Sequence, residues 1–274
     1  KITAFRGISA RGLYLSADRP ELRFAAKELA RKMAKPTKAS LRELKRLGRY
    51  LRGRPRLVQL FPLQGEAAGE RNPDYLYSPV DSNWADCKET RKSTSGGALL
   101  HGKHTLTAWS VTQAVQALSS GEAELYAILR GTVELLGMAA TAEELGFAFK
   151  LAPRLGSDSS AARSVASRHG LGKLKHLALK HLWIQETVRQ GRVVLRKELG
   201  EDNAADLLTK HLAEEKVLHY LDKLGFTYRD GRAAGAPELA KGAAQRRVAS
   251  VALGEAVVPL DHRQPGVHRK VAPG

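Results

Sequence analysis

Between Leu76 and Leu224 the sequence switches repeatedly between the period of a strand and the period of a helix, and the order of those switches constrains the fold most. Strand-like runs come first: Leu76 to Trp84, Gly97 to His101 and Leu106 to Val111, with Gly- and Lys-containing turns between them. Ser119 and Glu122 then have capping-box spacing ahead of a long helix through Leu125, Ile128, Leu135, Leu136 and Ala139, which should stop near Gly146. Leu151 to Asp158 has the pattern of a fourth strand, and Ser159 to Ala166 that of a small-residue helix. A helix over Leu174 to Arg189, a fifth strand over Val193 to Leu199 and a last helical region from Asn203 to Leu224 complete the series. Three strands in a row form a meander. Single strands separated by helices follow it, so the expected class is α/β with a mixed five-stranded sheet and flanking helices.

Upstream, the pattern is helical. Leu22, Ala25, Ala26, Leu29 and Met33 recur at helical spacing up to Pro36. Ser40 and Glu43 have the spacing of a second capping box, before an apolar stripe of Leu41, Leu44, Leu47 and Leu51. Arg42, Lys45, Arg46 and Arg49 fall on roughly the opposite face.

Charge divides the chain in the same way. Of the net +17, residues 1–60 hold 17 Lys and Arg against 4 Asp and Glu, while residues 61–228 hold 20 against 20. Cations concentrated on one helical segment suit contact with phosphates, so Arg42, Lys45, Arg46 and Arg49 are the candidate nucleic-acid-binding residues. Residues 229–274 carry 8 basic against 4 acidic groups in an Ala-, Gly- and Pro-rich stretch without apolar periodicity, which reads as a disordered tail. The expected domains are thus a basic helical segment over 1–62, an α/β domain over 63–228 and a tail over 229–274.

No apolar run approaches the roughly eighteen residues needed to span a bilayer, which argues against a membrane role. A single cysteine, Cys87, rules out an internal disulfide and a cysteine-based zinc cluster. With no secretory leader pattern in view, the expected location is intracellular, in a cytoplasmic particle or the nucleus, and the chain reads as a piece of something longer.

Three acidic residues stand where strands end or helices begin, the rim on which an open sheet collects ligands: Asp81, Asp158 and Asp206. Glu124, in the first turns of the long helix, is a fourth. Each alone is ordinarily a cap or a solvated carboxylate.

The wording of the sequence goes further. Asp81-Ser-Asn-Trp-Ala-Asp-Cys-Lys-Glu-Thr-Arg-Lys-Ser-Thr-Ser-Gly96 closely resembles the opening of the ribonuclease H domain of copia-type retrotransposon polyproteins. Leu118 to Ile128, Gly156 to Ala161 and Asn203 to Lys210 resemble that family's second, third and fourth blocks, in order. Lys175, His176 and His181 fit a basic, His-containing helix of the family, and the resemblance covers about residues 75–228. Upstream, Gly12 to Pro20 and Lys45 to Arg52 resemble the tail of the copia-type reverse transcriptase. Residues 1–60 lack the Tyr-x-Asp-Asp type of motif, so DNA synthesis is not expected.

The resemblance implies a ribonuclease H-like fold and endonucleolytic cutting of the RNA strand of RNA/DNA hybrids. It makes Asp81, Glu124, Asp158 and Asp206 both the catalytic and the metal-binding set, for two Mg²⁺ ions with Mn²⁺ as a substitute. The upstream reverse transcriptase portion of the same polyprotein is the expected partner besides the hybrid. Glu122 competes with Glu124 for the second place, but Glu122 suits the capping box and the Glu-Leu-Tyr-Ala-Ile run follows Glu124. Ser82, Ser119 and Gln113 are further contact candidates. No histidine is expected to carry the proton; Glu201 or solvent is the expected helper.

The chain departs from the pattern at Asn83, where many relatives have Asp, at Asp86, where they have Gly, and at Pro79, which is expected to break the first strand. Asp86 at a turn glycine is expected to cost stability. The alternative reading is a decayed retrotransposon protein that binds nucleic acid without cutting it. A DNA strand-transfer enzyme is disfavoured, because such enzymes usually place their glutamate last.

Overall fold

The computed structural model describes residues 2–64, 74–170, 172, 182–231 and 235. Its centre is the expected mixed five-stranded sheet. Strands β2 (Leu76–Asn83), β3 (Thr94–His101) and β4 (His104–Thr112) form an antiparallel meander, and β5 (Arg154–Ser157) and β6 (Val194–Lys197) add in parallel on the other side of β2. The order is β4-β3-β2-β5-β6, which puts β2 at the centre.

Side chains alternate across a pleated strand, and the two faces of this sheet bury different partners. Leu99 faces the core formed by Leu76, Val80 and Leu155 with Leu125, Ile128 and Leu135 of helix α4 (Ser120–Glu144). Its neighbours Ala98 and Leu100 pack instead with Leu207, Leu208, Tyr220, Leu221 and Leu224. Gly131 permits the close approach of α4: a Cβ there would stand 2.6 Å from Val80 Cγ1 and 2.9 Å from Leu155 Cδ1. Ser119 is the N-cap of α4, its hydroxyl accepting from the Glu122 N–H at 3.2 Å, as its spacing implies.

Helices α5 (Ser160–Ser167) and α6 (Trp183–Arg189) cover the parallel side. The first part of the helix expected from Leu174, with Lys175, His176 and His181, lies outside the described residues. The last helical region is two elements: a 3₁₀ helix over Ala204–Leu208 and α7 (Glu214–Lys223).

The upstream helices are α1 (Ile2–Leu15), α2 (Arg23–Arg31) and α3 (Lys38–Gly53), packed around Phe5, Leu22, Leu29, Leu44 and Leu47. Helix α1 escapes a search for apolar periodicity because its buried stripe is Phe5, Ser9 and Gly12, while Ile2, Ile8, Leu13 and Tyr14 are exposed. The capping box of α3 is Thr37 with Ser40, one turn before the expected Ser40 with Glu43; Glu43 is paired with Lys32 at 2.5 Å. A threonine hydroxyl at the first free N–H groups satisfies donors that Ser40, already inside the helix and buried, could not.

Strand β1 (Leu57–Gln59) then pairs antiparallel with β7 (Phe226–Tyr228), a two-stranded sheet the sequence pattern does not announce. Phe24 of α2 also meets the His211 ring edge-on at 4.9 Å, and Lys27 Nζ donates to Thr94 Oγ1 at 2.6 Å. The basic helices are therefore packed on the α/β body.

Pro79 does not break β2. Its missing N–H is accommodated where the antiparallel pairing to β3 passes from Tyr77 to Val80, while Pro79 itself lies opposite Gly156 of β5.

Candidate metal site

The strand β2, the first turns of α4 and the end of β5 converge at one rim of the sheet, and each carries a carboxylate there. Asp81, Glu124 and Asp158 each offer one oxygen, and these oxygens all lie within 4.8 Å of one another. Asp81 is buried, at 2% exposure, and Glu124 and Asp158 are half-buried.

Asp206 reaches the same rim from the 3₁₀ helix. Asn203 pins that helix to β2, its side-chain amide donating to the Val80 carbonyl at 2.9 Å while its oxygen accepts from the Ala205 N–H at 3.1 Å. Gly96, opposite Asp81 on β3, leaves the room: a Cβ there would come within 2.6 Å of Thr209 Cγ2. Asp206 is not one of the three mutually close carboxylates; it is joined to Asp81 through Lys210, whose Nζ stands 2.7 Å from Asp206 Oδ1 and 3.3 Å from Asp81 Oδ2.

Glu122 and Glu124 have separate roles. Glu122 folds back on its helix start, accepting from the Leu118 N–H at 2.8 Å and from the Tyr126 hydroxyl at 2.8 Å. Glu124 accepts the Ser82 N–H through Oε1 at 3.1 Å, and its Oε2 is buried without a hydrogen-bond partner among the described residues. Burial pushes the Glu124 carboxyl up to about 9, and the Asp81 and Asp158 carboxylates add to the shift. Burial, then Asp81, also raises Asp158 and Asp206.

A buried carboxylate oxygen without a donor, among other carboxylates, is a destabilising arrangement unless a cation completes it. Hard oxygen donors of this kind suit Mg²⁺ or Mn²⁺, so the residues present fit a divalent cation.

Thr209 and Lys210 belong to the site although they are not among the expected site residues; both sit in the fourth block after Asp206. The Thr209 hydroxyl donates to Asp81 Oδ2. The signal available was their spacing, three and four residues beyond an aspartate at a helix start, which turns all three toward one point.

Two of the three departures, Asn83 and Asp86, meet each other. The Asn83 amide donates to Asp86 Oδ2 at 3.2 Å and to the Thr209 carbonyl at 2.7 Å, and its oxygen accepts the Thr94 N–H at 2.6 Å. The left-handed backbone position in this turn is Ala85, with φ of 52°, rather than Asp86, so the expected strain sits one residue earlier.

Of the contact candidates, Ser119 is engaged as the cap. Gln113 is buried, donating to Ser95 Oγ at 2.9 Å and to the Ala123 carbonyl at 2.8 Å, so it ties β4 to α4. Ser82 uses its N–H on Glu124. Arg42, Lys45, Arg46 and Arg49 are all exposed on α3. Arg46 and Lys210 line one groove of about 370 Å³ between α2, α3 and the 3₁₀ helix, with Phe24 and His211 in its wall.

No family model matches the chain. It is 28% identical over 226 residues to the retrovirus-related Pol polyprotein from transposon RE1 of Arabidopsis thaliana, covering 82% of this chain. It is 29% identical over 224 residues to the corresponding polyprotein from transposon RE2 of the same plant, covering 81%. The chain spans 15% of the length of each. A solved structure of LC11 ribonuclease H1 in complex with RNA/DNA hybrid aligns with 49% of this chain and 93% of its own, at 18% identity and a TM-score of 0.36. Both of these relatives are retrovirus-related Pol polyproteins from transposons.

Proposed function

We propose that this homologue of transposon Pol polyproteins is their ribonuclease H part and cuts the RNA strand of RNA/DNA hybrids. The single observation that carries the reading is the convergence of Asp81, Glu124 and Asp158 with a buried, unpartnered Glu124 oxygen.

In this reading Asp81, Glu124, Asp158 and Asp206 hold two Mg²⁺ ions, with Mn²⁺ able to substitute. Two such ions, when bound, stabilise the attacking and leaving oxygens of an in-line displacement at phosphorus. The chain's own residues do the rest. Ser82 fixes Glu124 through its N–H, Thr209 fixes Asp81 through its hydroxyl, and Asn203 fixes the element that carries Asp206. Their positions are set before substrate arrives, which removes a reorganisation cost from the chemical step.

Substrate choice rests on the shape of the hybrid and on its 2′-hydroxyls, which only the RNA strand presents. Arg42, Lys45, Arg46 and Arg49 track the phosphates. His211 packs on Phe24, an arrangement that suits a structural role, and proton transfer goes to solvent or Glu201. Residues 1–62 are read as the end of a reverse transcriptase portion, 63–228 as the nuclease and 229–274 as a tail. The upstream part of the same polyprotein is the partner proposed for the exposed Ile2, Ile8, Leu13 and Tyr14. Among the described residues no helix is long and apolar enough to cross a membrane.

Asp158→Asn tests the reading. It should abolish Mg²⁺-dependent cutting of a labelled hybrid while hybrid binding is retained, since it removes a ligand and leaves the basic surface. Equal cutting by both proteins would sink the assignment.

A further inference from the structure

Asp81 and Asp206 are both buried carboxylates, at 2% and 9% exposure, and two anions so placed repel each other unless a cation lies between them. The chain supplies one. Lys210 Nζ reaches both, at 3.3 Å and 2.7 Å. The three-carboxylate cluster shares Asp81 with this pair, and within it Glu124 Oε2 has no hydrogen-bond partner among the described residues.

Lys210 is not locked in place. Its side chain is 41% exposed, and a four-carbon stem lets the ammonium swing into water without moving the backbone.

We infer that Lys210 is a built-in stand-in for a divalent cation: it neutralises Asp81 and Asp206 in the metal-free protein and must be displaced when an ion takes that pair. The inference rests on the metal-site reading above. It makes loading sequential. The first ion goes to Asp81, Glu124 and Asp158, and the second binds Asp81 and Asp206 only in exchange for the lysine contact. Lys210 is thus a positioning residue for the empty site and a competitor for the filled one, and its two effects have opposite signs.

The test compares wild-type protein with Lys210→Met and Lys210→Arg, using Mg²⁺ alone in calorimetry and thermal melts in EDTA. Removing a charge-assisted contact should tighten the weaker Mg²⁺ site about ten- to a hundredfold. The same Met variant should melt roughly 3–8 °C lower in EDTA, and the Arg variant should behave as wild type. A purely structural lysine would lower the melt without tightening the metal. The wild-type chain offers an independent reading if the Met variant does not fold. Acetylation of Lys210, followed by mass spectrometry, should be slow in EDTA and rise with Mg²⁺ as the ammonium is released.

Unchanged acetylation with and without Mg²⁺, or a Met variant that binds Mg²⁺ no tighter than wild type, overturns the inference. If wild type still binds Mg²⁺ and cuts hybrid in that case, the nuclease reading stands; if no protein binds Mg²⁺ at all, both fall.

Discussion

Glu124→Gln should make the metal-free protein more stable while destroying its nuclease activity. The carboxyl is pushed up to about 9 from an ordinary 4.5 by burial and by Asp81 and Asp158. The folded protein therefore holds this proton where the unfolded chain has released it. Stability from this group is complete below about pH 4.5 and drains away as pH rises toward 9. Glutamine keeps the oxygen that accepts the Ser82 N–H but carries no charge to desolvate. At pH 8 the expected gain is about 1–3 kcal/mol, the cost of an unpartnered buried polar group. For a chain of this size that is a melting point roughly 3–10 °C higher in EDTA. At pH 5 the two proteins should melt almost together. Asp158 and Asp206, also raised, contribute to the pH slope of both proteins, so the difference between them isolates Glu124. Adding Mg²⁺ should reverse the order, because only wild type gains the full linkage energy, about 3 kcal/mol at a hundredfold excess over Kd. Glu122→Gln, which disturbs the Leu118 and Tyr126 contacts, should destabilise at every pH. A Glu124→Gln protein that melts at or below wild type in EDTA at pH 8 would refute the reasoning.

Replacing Arg42, Lys45, Arg46 and Arg49 together by Gln should leave the melting point nearly unchanged, since all four are exposed. The slope of log K against log salt for hybrid binding should flatten by up to about 3 units, and an unchanged slope would show that these cations touch only water. Asn83→Asp loses the donors to Thr209 and Asp86 and sets one carboxylate against another, costing about 1–3 kcal/mol in urea unfolding. Asp86→Gly in the same chain should recover part of that loss; no recovery would mean that the two positions are not coupled.

The sheet was legible because its strands are short runs set off by turns and its long helix carries a cap: Ser119 and Glu122 mark the start of α4 to the residue. The β1–β7 pair was hidden because each strand is three residues long and its partner lies at the far end of the sequence. Helix α1 was hidden because a glycine and a serine do the packing that apolar side chains usually do. For the site, the preference for Glu124 over Glu122 came from the resemblance of the Glu124-to-Ile128 run together with the capping-box spacing of Glu122. The lysine between Asp81 and Asp206 could not be foreseen in the same way, since its second partner is distant in sequence and local spacing predicts only the first.

The most direct test of the central claim is to offer the wild-type protein labelled RNA/DNA hybrid, duplex RNA and duplex DNA, each with Mg²⁺ and with EDTA. The account predicts internal cuts in the RNA strand of the hybrid alone, and only with Mg²⁺. A protein that binds the hybrid yet leaves its RNA intact in both Mg²⁺ and Mn²⁺ would contradict it and establish a binding protein instead.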